Sequence, residues 1–311
     1  MGFNFRLKQQ GILGINARNL DYIFPVNRRK FYPLVDNKLL TKELATRAGV
    51  ASPALYGVIE WQEQIRHFEE MVEQREEFVI KPAQGSGGGG ILVIGGKNEK
   101  GYVKSSGAVL SRSAVRYHLS NVLNGLFSLG GVADKAIIEY RVHIAPLFRE
   151  IAYQGVPDIR LIIYRGVPVM AMLRVPTKES DGKANLHAGG IGVGISMKTG
   201  VTIGGIWRGK FIDTHNDTGA RLDGIAIPGW KKMLEIGARF EEIIGLGYIG
   251  VDLVIDDELG PMLLEVNARP GLAIQVANRA GLKPRLEKVE AHLPGLKDID
   301  AKVAFSMECF A

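Results

Sequence analysis

Residues 250–272 read GVDLVIDDELGPMLLEVNARPGL, and this stretch decides the fold. Two apolar runs flank a turn-rich segment at 256–261, a pattern typical of a β-hairpin. Asp252 lies in the first run, whereas Glu265 and Asn267 lie two residues apart in the second. Side chains two residues apart leave the same face of a strand, where a residue of the partner strand can meet them. The sequence therefore predicts that two carboxylates and one amide converge across this hairpin.

Carboxylate and amide oxygens are ligands that Mg²⁺ prefers, usually together with water and substrate phosphates. Glu265 stands between a leucine and a valine, and a carboxylate in such a run is costly to bury unless it is paired or binds a metal. We expect Asp252, Glu265 and Asn267 to bind Mg²⁺, which in turn implies a nucleotide. The alternative is that acidic hairpin residues are merely solvated, and we favour that interpretation for the acidic turn at 256–258.

The composition indicates a globular protein of the cytoplasm. With 311 residues, 46% of them hydrophobic, the chain is long enough for one large core or two modest ones. Its single cysteine, Cys309, excludes an internal disulfide, and the start MGFNFRLKQQ is too polar for a secretory signal. No apolar run reaches the roughly 20 residues that a membrane-spanning helix needs, so we expect no membrane span.

The charge pattern argues against nucleic acid as a partner. A formal net charge of +6 could serve nucleic acid, an anionic membrane surface or anionic small substrates. The basic residues are scattered, however, and the one dense cluster, at 27–30, lacks the interleaved aromatic residues of RNA-binding motifs. An anionic membrane surface and small anionic substrates are the interpretations that remain.

A second informative stretch, FVIKPAQGSGGGGILVIGG at 78–96, predicts a strand, a glycine-rich loop and another strand. Its glycines satisfy GxGxxG, but a dinucleotide-binding fingerprint must open a helix, and the Gly-Lys-Ser/Thr of a P-loop is missing. What remains is a flap whose backbone N–H groups can close over phosphates, with Lys81 at its base. A flexible surface hairpin is the alternative.

Periodicity and capping residues predict the remaining elements. Asp36 is the predicted N-cap of a helix over 38–48, which ends at Gly49. Further predicted helices cover 61–74, 113–126, 228–245 and 273–280, and further predicted strands cover 77–82, 91–94, 135–142, 158–164 and 167–175. The segment 204–224 shows no periodicity, and 281–311 is interpreted as a charged tail.

Two arginines stand among apolar residues in the predicted strands at 158–164 and 167–175. Arg160 and Arg174 can share a face of neighbouring strands, and their planar guanidinium groups suit carboxylate or phosphate. Solvated positions on an edge strand are the alternative. The glycine-dense loop at 185–194, NLHAGGIGVG, is typical of a segment that contacts a ligand.

Taken in order, these segments resemble the ATP-grasp superfamily over roughly residues 36–275. The resemblance is carried by Lys38 on an early helix, Lys81 before the flap, Glu139-Tyr140 at the end of a strand, and Asp252 followed by Glu265-x-Asn267. The stretches DNKLLTKELATRAGVASP, FVIKPAQGSGGGGI and LLEVNARPGL look most like the RimK-related group of alpha-L-glutamate ligase-like proteins.

The resemblance implies an α+β fold of the ATP-grasp type, in which two α/β lobes with mainly antiparallel sheets clasp ATP. It implies a first lobe with the glycine flap over 36–142, a second lobe with the metal site over 143–280, and a tail over 281–311. Residues 1–35 would be an arm, a reduced form of the substrate-binding region that precedes the first lysine helix in many relatives. A second copy of the chain, or a partner protein, would then complete the substrate site.

The resemblance also implies how ATP binds. Lys38 and Lys81 would hold the phosphates, and the hinge would hydrogen-bond adenine through the backbone of Tyr140 and Val142, with Glu139 beside them. The flap over the phosphates would consist of Gln84, Gly85, Ser86, Gly87, Gly88, Gly89 and Gly90.

The metal and substrate residues follow from the same resemblance. Asp252, Glu265 and Asn267 match the Mg²⁺ ligands of the superfamily, and Mn²⁺ could replace Mg²⁺. The residues that would face the transferred phosphate or the substrate carboxylate are Arg160, Arg174, Asn185 and Arg269.

The activity implied is a carboxylate–amine ligation. A small-molecule or peptide acid would attack ATP to give an acyl phosphate, and the amine of an amino acid, glutamate by analogy, would displace the phosphate. Two alternatives stay open: a grasp-fold kinase that phosphorylates a small-molecule hydroxyl, and a nucleotide-binding protein without catalysis.

Overall fold

The computed structural model describes residues 10–85 and 87–310, which divide into two units. The smaller unit, called the flap lobe below, comprises Asn37–Lys42 and Ser52–His143. The larger unit, called the sheet lobe, comprises the chain up to Asp36, Glu43–Ala51 and the chain from Ile144 onward. Ser86 of the predicted flap and the first nine residues of the predicted arm lie outside the described residues.

The flap lobe is built on a six-stranded antiparallel sheet in the order β1-β6-β2-β3-β4-β5. Its strands are β1 (Leu55–Ile59), β2 (Phe78–Pro82), β3 (Leu92–Asn98), β4 (Gly101–Lys104), β5 (Val109–Leu110) and β6 (Ala136–Glu139). Strands β2 and β3 pair directly, so the predicted order of strand, glycine loop and strand is confirmed.

Two longer helices and three short segments complete the helical part of the flap lobe. Helix α1 (Lys38–Arg47) begins in this lobe, and α2 (Arg112–Leu123) packs against β2 and β6. The short segments are Gln62–His67, Phe68–Met71 and Leu129–Gly131, the first two in place of the helix predicted over 61–74. In the core, Phe68, Phe78 and Tyr102 meet edge to face, with ring centroids 5.7–5.8 Å apart.

The predicted N-cap of the first lysine helix is wrong by one residue. Asn37 caps α1, because its Oδ1 accepts the N–H of Leu39 at 2.9 Å. Asp36 instead ends the preceding short helix, Pro33–Asp36.

Two further elements end earlier than predicted. Helix α2 stops at Leu123 because Gly125, two residues later, adopts a left-handed φ of 77°. Strand β6 ends at Glu139, although the N–H of the next residue, Tyr140, still donates to the carbonyl oxygen of Ala54, just before β1, at 2.8 Å.

The sheet lobe contains eight antiparallel strands in the order β11-β10-β9-β8-β7-β13-β14, with β12 paired to β10. They are β7 (Asp158–Tyr164), β8 (Val167–Val175), β9 (Ile191–Ile195), β10 (Val201–Trp207), β11 (Lys210–Ile212), β12 (Asp223–Ala226), β13 (Tyr248–Asp256) and β14 (Gly260–Asn267). The hairpin predicted within residues 250–272 is confirmed as β13 and β14.

Three longer helices pack against this sheet or beside it: α3 (Trp230–Ile244), α4 (Lys283–His292) and α5 (Ile299–Cys309). Helix α3 turns Met233, Leu234 and Phe240 inward, all fully buried over β7, β8 and β13. The short helical segments are Ile15–Ala17, Arg18–Ile23, Arg29–Phe31, Pro33–Asp36, Pro146–Phe148, Leu186–Ala188, Ile274–Ala277 and Leu293–Gly295.

The two segments without a predicted structure are ordered, and the tail prediction is wrong. Residues 204–224 supply the end of β10, all of β11 and the start of β12; glycines and a tight turn had hidden the alternation. Within 281–311, α4 and α5 bury Leu286, Val289 and Val303 completely. Interspersed charged residues hide this apolar pattern in the sequence.

Two helices of the sheet lobe are shorter than predicted. The helix over 273–280 reduces to Ile274–Ala277, because Arg279 adopts a φ of 51°. Helix α3 begins after Gly229, which has a left-handed φ of 65°, rather than at Pro228. None of the helices in the described part of the chain has the length and apolar character that a membrane crossing requires.

Candidate functional site

Strand register aligns the predicted metal ligands and arginines in one row across the sheet lobe. On β7, β13 and β14, Arg160 lies opposite Asp252, which lies opposite Glu265. Two residues earlier on β7, Asp158 lies opposite Arg174 of β8. Because opposite residues of antiparallel strands have Cβ atoms about 4.5–5.5 Å apart, these charged side chains meet on one face.

The carboxylate of Asp252 is the centre of this row, and it is fully buried. Its Oδ1 accepts from Nε of Arg160 at 2.7 Å, and its Oδ2 accepts from Nη2 of Arg160 at 2.5 Å and Nη2 of Arg174 at 2.6 Å. Burial opposes the charged form, but the two guanidinium groups outweigh it and lower the pKa of Asp252 to about 2. Asp252 is therefore ionised at neutral pH.

A second buried carboxylate, Asp158, shares Arg174 with Asp252. Both oxygens of Asp158 accept from this guanidinium, with Nη2 at 2.7 Å from Oδ2. Burial raises the pKa of Asp158 to about 7 against the pull of Arg174, and the charge of Asp252 adds to the rise. One guanidinium thus serves two carboxylates.

Asn267 joins the two predicted carboxylate ligands. Its Nδ2 donates to Oδ2 of Asp252 at 3.2 Å and to Oε1 of Glu265 at 3.0 Å, so the predicted convergence of the three side chains is confirmed. The amide nitrogen stands between two carboxylate oxygens, as a cation would. Half a turn of the amide would present its oxygen in the same place. Two carboxylates and one amide oxygen form a donor set that fits Mg²⁺.

The charges of the row also favour a cation. Once Asp158 is ionised, above its pKa of about 7, three carboxylates (Asp158, Asp252 and Glu265) face two guanidinium groups, and one negative charge is left over. Glu265 is the most exposed of the three, with 34% of its side chain accessible. Within residues 10–85 and 87–310, no group of three Asp, Glu, His or Cys side chains could hold a metal ion, and the amide of Asn267 is the third ligand that the prediction names.

The two arginines predicted to face phosphate or substrate are engaged with carboxylates in this structure. Arg160 and Arg174 keep only 11% and 12% of their side chains exposed. Their contact with a substrate stays a prediction, and it would require them to share their N–H groups between Asp252 and the substrate.

The other two predicted substrate residues have different surroundings. Asn185 caps the turn Leu186–Ala188, since its Oδ1 accepts the N–H of His187 at 3.0 Å. Arg269 is exposed, and its guanidinium lies 5.2 Å from the centre of the Tyr32 ring. Their proposed roles stay predictions.

In the flap lobe, the two predicted phosphate lysines have different partners. Nζ of Lys38 donates to the carbonyl oxygen of Gly85, at the start of the glycine flap, at 2.5 Å. Lys81 is buried and forms an ion pair with Oε1 of Glu139, which is 2% exposed. The two residues lie on adjacent strands, β2 and β6, within two positions of each other in the register.

A third lysine reaches the same carboxylate. Lys42 lies one helical turn after Lys38 on α1, and its Nζ is 3.0 Å from Oε2 of Glu139. Burial lowers the pKa of Lys42, although Glu139 opposes the shift. Glu139 therefore stands between two ammonium groups.

The first end of the glycine flap is fixed by a buried acid. Asp134 is 4% exposed, and its oxygens accept the N–H of Gln84 at 2.9 and 3.1 Å and the hydroxyl of Ser128 at 2.6 Å. It also accepts the N–H of Lys135 at 2.7 Å. The flap thus leaves β2 in a defined direction.

The second end of the flap rests on α2 and the segment after it. Nε2 of His118 donates to the carbonyl oxygen of Gly90 at 3.0 Å. A Cβ at Gly90 would lie 2.6 Å from the ring of Phe127, and Gly90 has a left-handed φ of 74°. Only glycine fits this position without strain.

The predicted adenine hinge is held within the flap lobe. The N–H of Tyr140 is already bonded to Ala54, so an adenine contact of its backbone would come from its carbonyl oxygen. The hydroxyl of Tyr140 lies 3.0 Å from Nδ1 of His143, whose Nε2 lies 2.7 Å from Glu77. Val142 is 9% exposed.

Sequence analysis did not identify three residues that hold these groups in place: Lys42, Asp134 and Asp158. The spacing of Lys42 from Lys38 was a usable signal, because residues four apart share a helix face. A second usable signal was Asp158, an aspartate among the apolar residues of a predicted strand. Asp134 precedes a strand, where aspartate is common, so the sequence carries no signal for it.

The profile of the sugar-transfer associated ATP-grasp family matches residues 17–291. The chain belongs to this family. The predicted fold class is thereby confirmed: this is an ATP-grasp fold with mixed helices and strands and antiparallel sheets. The family match does not extend to the RimK-related group, which stays a prediction.

Comparison with solved structures gave three enzymes among its matches. The ATP-grasp ligase PsnB with its minimal precursor is 13% identical over 86% of this chain and 63% of its own, with a TM-score of 0.44. D-cycloserine synthetase DcsG is 15% identical over 88% and 74%, with a TM-score of 0.46. D-alanine–D-alanine ligase from Bacillus anthracis with ATP is 14% identical over 89% and 67%, with a TM-score of 0.45.

This chain spans less than two thirds of the length of the PsnB chain. Comparison with curated protein sequences gave no match.

Proposed function

We propose that the protein is an ATP-dependent carboxylate–amine ligase that forms an amide or peptide bond through an acyl phosphate. The main support is the row of Arg160, buried Asp252 and Glu265 in a chain of an ATP-grasp family. Phosphoryl transfer needs fixed charges that neutralise phosphate oxygens, and it needs no covalent nucleophile on the protein. This row, which carries one negative charge in excess once Asp158 is ionised, suits that requirement.

In the proposed reaction the acid attacks the γ-phosphate of ATP, which gives ADP and an acyl phosphate. The amine then attacks the acyl carbon and releases phosphate. Bound Mg²⁺ would supply neutralising charge at the transferred phosphoryl group. Its proposed ligands are Asp252, Glu265 and Asn267.

The remaining groups bind, orient and exclude water. Lys38 and Lys81 would neutralise the ATP phosphates, and Arg160 and Arg174 would orient the acid. The glycine flap would keep water from the acyl phosphate, which hydrolyses readily, and would open for product release.

Narrower expectations also belong to this proposal. We propose glutamate or another amino acid as the amine, as in the RimK-related group, and a cytoplasmic location. A second copy of the chain or a partner protein would complete the substrate site, and Mn²⁺ could replace Mg²⁺. The description of the family adds sugar transfer, so an acid or amine carried on a sugar is a candidate substrate.

The proposal is tested by measuring ADP and phosphate from purified protein with ATP and Mg²⁺, with products identified by mass. Amino acids, peptides, uronic acids and amino sugars form the panel. We expect one ADP and one phosphate for each amide formed. ADP with a stable phosphoester of an alcohol would identify a kinase instead. ATP binding without ADP from any mixture would indicate a nucleotide-binding protein.

Replacing Glu265 tests the metal assignment. Glu265→Ala removes one of two carboxylate ligands, so we expect Mg²⁺-dependent ADP formation to fall by at least about 100-fold. Glu258→Ala, in the exposed turn of the same hairpin, is the matched control and should keep the wild-type rate. Unchanged turnover in Glu265→Ala would refute the metal assignment.

A further inference from the structure

The flap lobe sets two ammonium groups against one carboxylate, all nearly out of contact with solvent. The side chains of Lys81, Lys42 and Glu139 are 6%, 12% and 3% exposed. Lys81 pairs with Oε1 of Glu139, whereas Lys42 lies 3.0 Å from Oε2 and also donates to the carbonyl oxygen of Pro53. Within this cluster, one positive charge is in excess.

This arrangement matters once Lys81 turns to a phosphate, as the proposed function requires. Lys81 would then leave Glu139, and a buried carboxylate without a counter-ion is costly. Lys42 contacts the other oxygen of Glu139 and does not compete with Lys81 for the same atom. It can stay in place while Lys81 changes partner.

We propose that Lys42 is a positioning residue, which remains as the counter-ion of Glu139 and so releases Lys81 to bind the phosphates of ATP. The inference rests on the proposed function, because it takes ATP phosphates as the second partner of Lys81. The two lysines of α1 would then have different roles, because Nζ of Lys38 donates to Gly85 in the flap whereas Nζ of Lys42 contacts Glu139.

The pH dependence of ATP binding follows from the same geometry. The charged groups that face Lys42 include Glu139 and Lys81, and the carbonyl oxygen of Pro53 is another neighbour. Burial and, to a smaller extent, the charge of Lys81 lower the pKa of Lys42 below its ordinary 10.5. As the pH rises through this lowered pKa, Lys42 loses its charge and Glu139 retains Lys81, so ATP affinity should fall.

The first experiment measures the dissociation constant of ATP with Mg²⁺ at about pH 7.5 by calorimetry. Lys42→Met should weaken binding about 10- to 100-fold, because Lys81 must then leave a buried carboxylate unpaired. Lys42→Arg keeps the charge and should stay within about threefold of the wild type. Adding Glu139→Gln to Lys42→Met removes the charge that needs a partner, and should restore most of the affinity.

Lys97→Met is the matched control in the same lobe. Nζ of Lys97 donates to the carbonyl oxygens of Val72 and Glu73, so it neutralises no buried carboxylate. Its affinity for ATP should equal that of the wild type. Thermal unfolding of every variant shows whether each one is folded.

A pH series separates positioning from a purely structural role. From about pH 7 to about pH 10, the wild type should lose ATP affinity, whereas Lys42→Arg, whose guanidinium stays charged, should lose much less. Equal losses in both proteins would overturn the inference.

Three further outcomes are decisive. Wild-type affinity in Lys42→Met would overturn the inference alone and leave the proposed function intact. The inference would also be overturned, with the proposed function intact, if Lys42→Met and Lys42→Arg bound ATP equally weakly and adding Glu139→Gln to Lys42→Met restored no affinity. A wild-type protein that binds no ATP at all would overturn the proposed function and this inference together.

Discussion

Arg174 neutralises two buried carboxylates of the sheet lobe. It donates to Asp158 and to Asp252, two carboxylates that are almost completely buried. Arg174→Met leaves Arg160 as their remaining guanidinium partner. We expect the free energy of unfolding at neutral pH to fall by about 3–5 kcal/mol, because removing one partner of a buried ion pair leaves an uncompensated charge. Urea unfolding measures this change.

Two further variants separate charge from shape at this position. Arg174→Lys keeps the charge but loses the planar fork, so its loss of stability should be smaller than that of Arg174→Met. Adding Asp158→Asn to Arg174→Met removes one stranded carboxylate and should recover part of the loss. Arg208→Met, whose partner Glu179 is at the surface, is the control and should unfold like the wild type. Equal stability of Arg174→Met and the wild type would refute this account.

The sequence could predict that Glu265 and Asn267 share a face, because this depends only on the period of a strand. Asp252 lies opposite Glu265 through a bulge between Asp252 and Leu253, without which Asp252 would lie opposite Leu264. The sequence could not predict that bulge. Nor could it predict the partner of Asp158. A bulge between Ile162 and Ile163 shifts the pairing of β7 with β8, so Asp158 faces Arg174. Counted from the turn without that bulge, Asp158 would face Leu173.

The sequence could not predict the pairing of Lys42 with Glu139 either, for a different reason. The two residues lie on α1 and β6, with most of the flap lobe between them in the chain. Helical spacing shows which face of α1 Lys42 occupies, but only the tertiary packing decides which carboxylate that face meets.

Among the elements, the glycine flap has a specific backbone requirement at Gly90. Gly90→Ala must adopt a left-handed φ and also displace the ring of Phe127. The φ alone costs about 1–2 kcal/mol, and the contact adds to this. We expect lower stability of the flap lobe and weaker ATP binding, measured by urea unfolding and calorimetry.

Gly107→Ala is the control for this prediction. Gly107 also has a left-handed φ, of 85°, but an added Cβ would meet no heavy atom within 4 Å. It should therefore lose only the cost of the φ and keep the ATP affinity of the wild type. If both variants lose the same stability and the same affinity, Phe127 does not constrain the flap.

The sequence predicted the order of strand, glycine loop and strand correctly, because four consecutive glycines between two apolar runs are typical of a loop. Element ends were less accurate, because single backbone hydrogen bonds decide them. Asn37 and Asp36 are equally good capping residues, and only the direction of the chain selects Asn37.

For the whole molecule, the C-terminal helices are part of the core of the sheet lobe. Helix α5 packs against α3 and β8, buries Val303 completely, and donates from Ser306 to the carbonyl oxygen of Pro168 at 2.6 Å. A chain that ends at Lys297 should therefore lose several kcal/mol of stability in the sheet lobe, since the apolar surface under α5 becomes exposed. Hydrogen exchange resolves which lobe is affected.

A point substitution in α5 also tests whether this helix is part of the core of the sheet lobe. Val303→Ala should destabilise the protein by about 1–3 kcal/mol, because it leaves a cavity in a filled core. Val109→Ala, at a position that is 45% exposed in the flap lobe, should have almost no effect. Similar small effects at both positions would mean that α5 contributes little to the core.

The row of charges across β8, β7, β13 and β14 also bears on how the sheet forms. A slip of one residue between β13 and either neighbour would turn Asp252 to the opposite face, away from Arg160 and Glu265. Misregistered sheets would then bury a carboxylate with no guanidinium beside it, a penalty greater than imperfect packing alone. The ion pairs of the proposed phosphate site thus discriminate against wrong strand pairings while the chain folds.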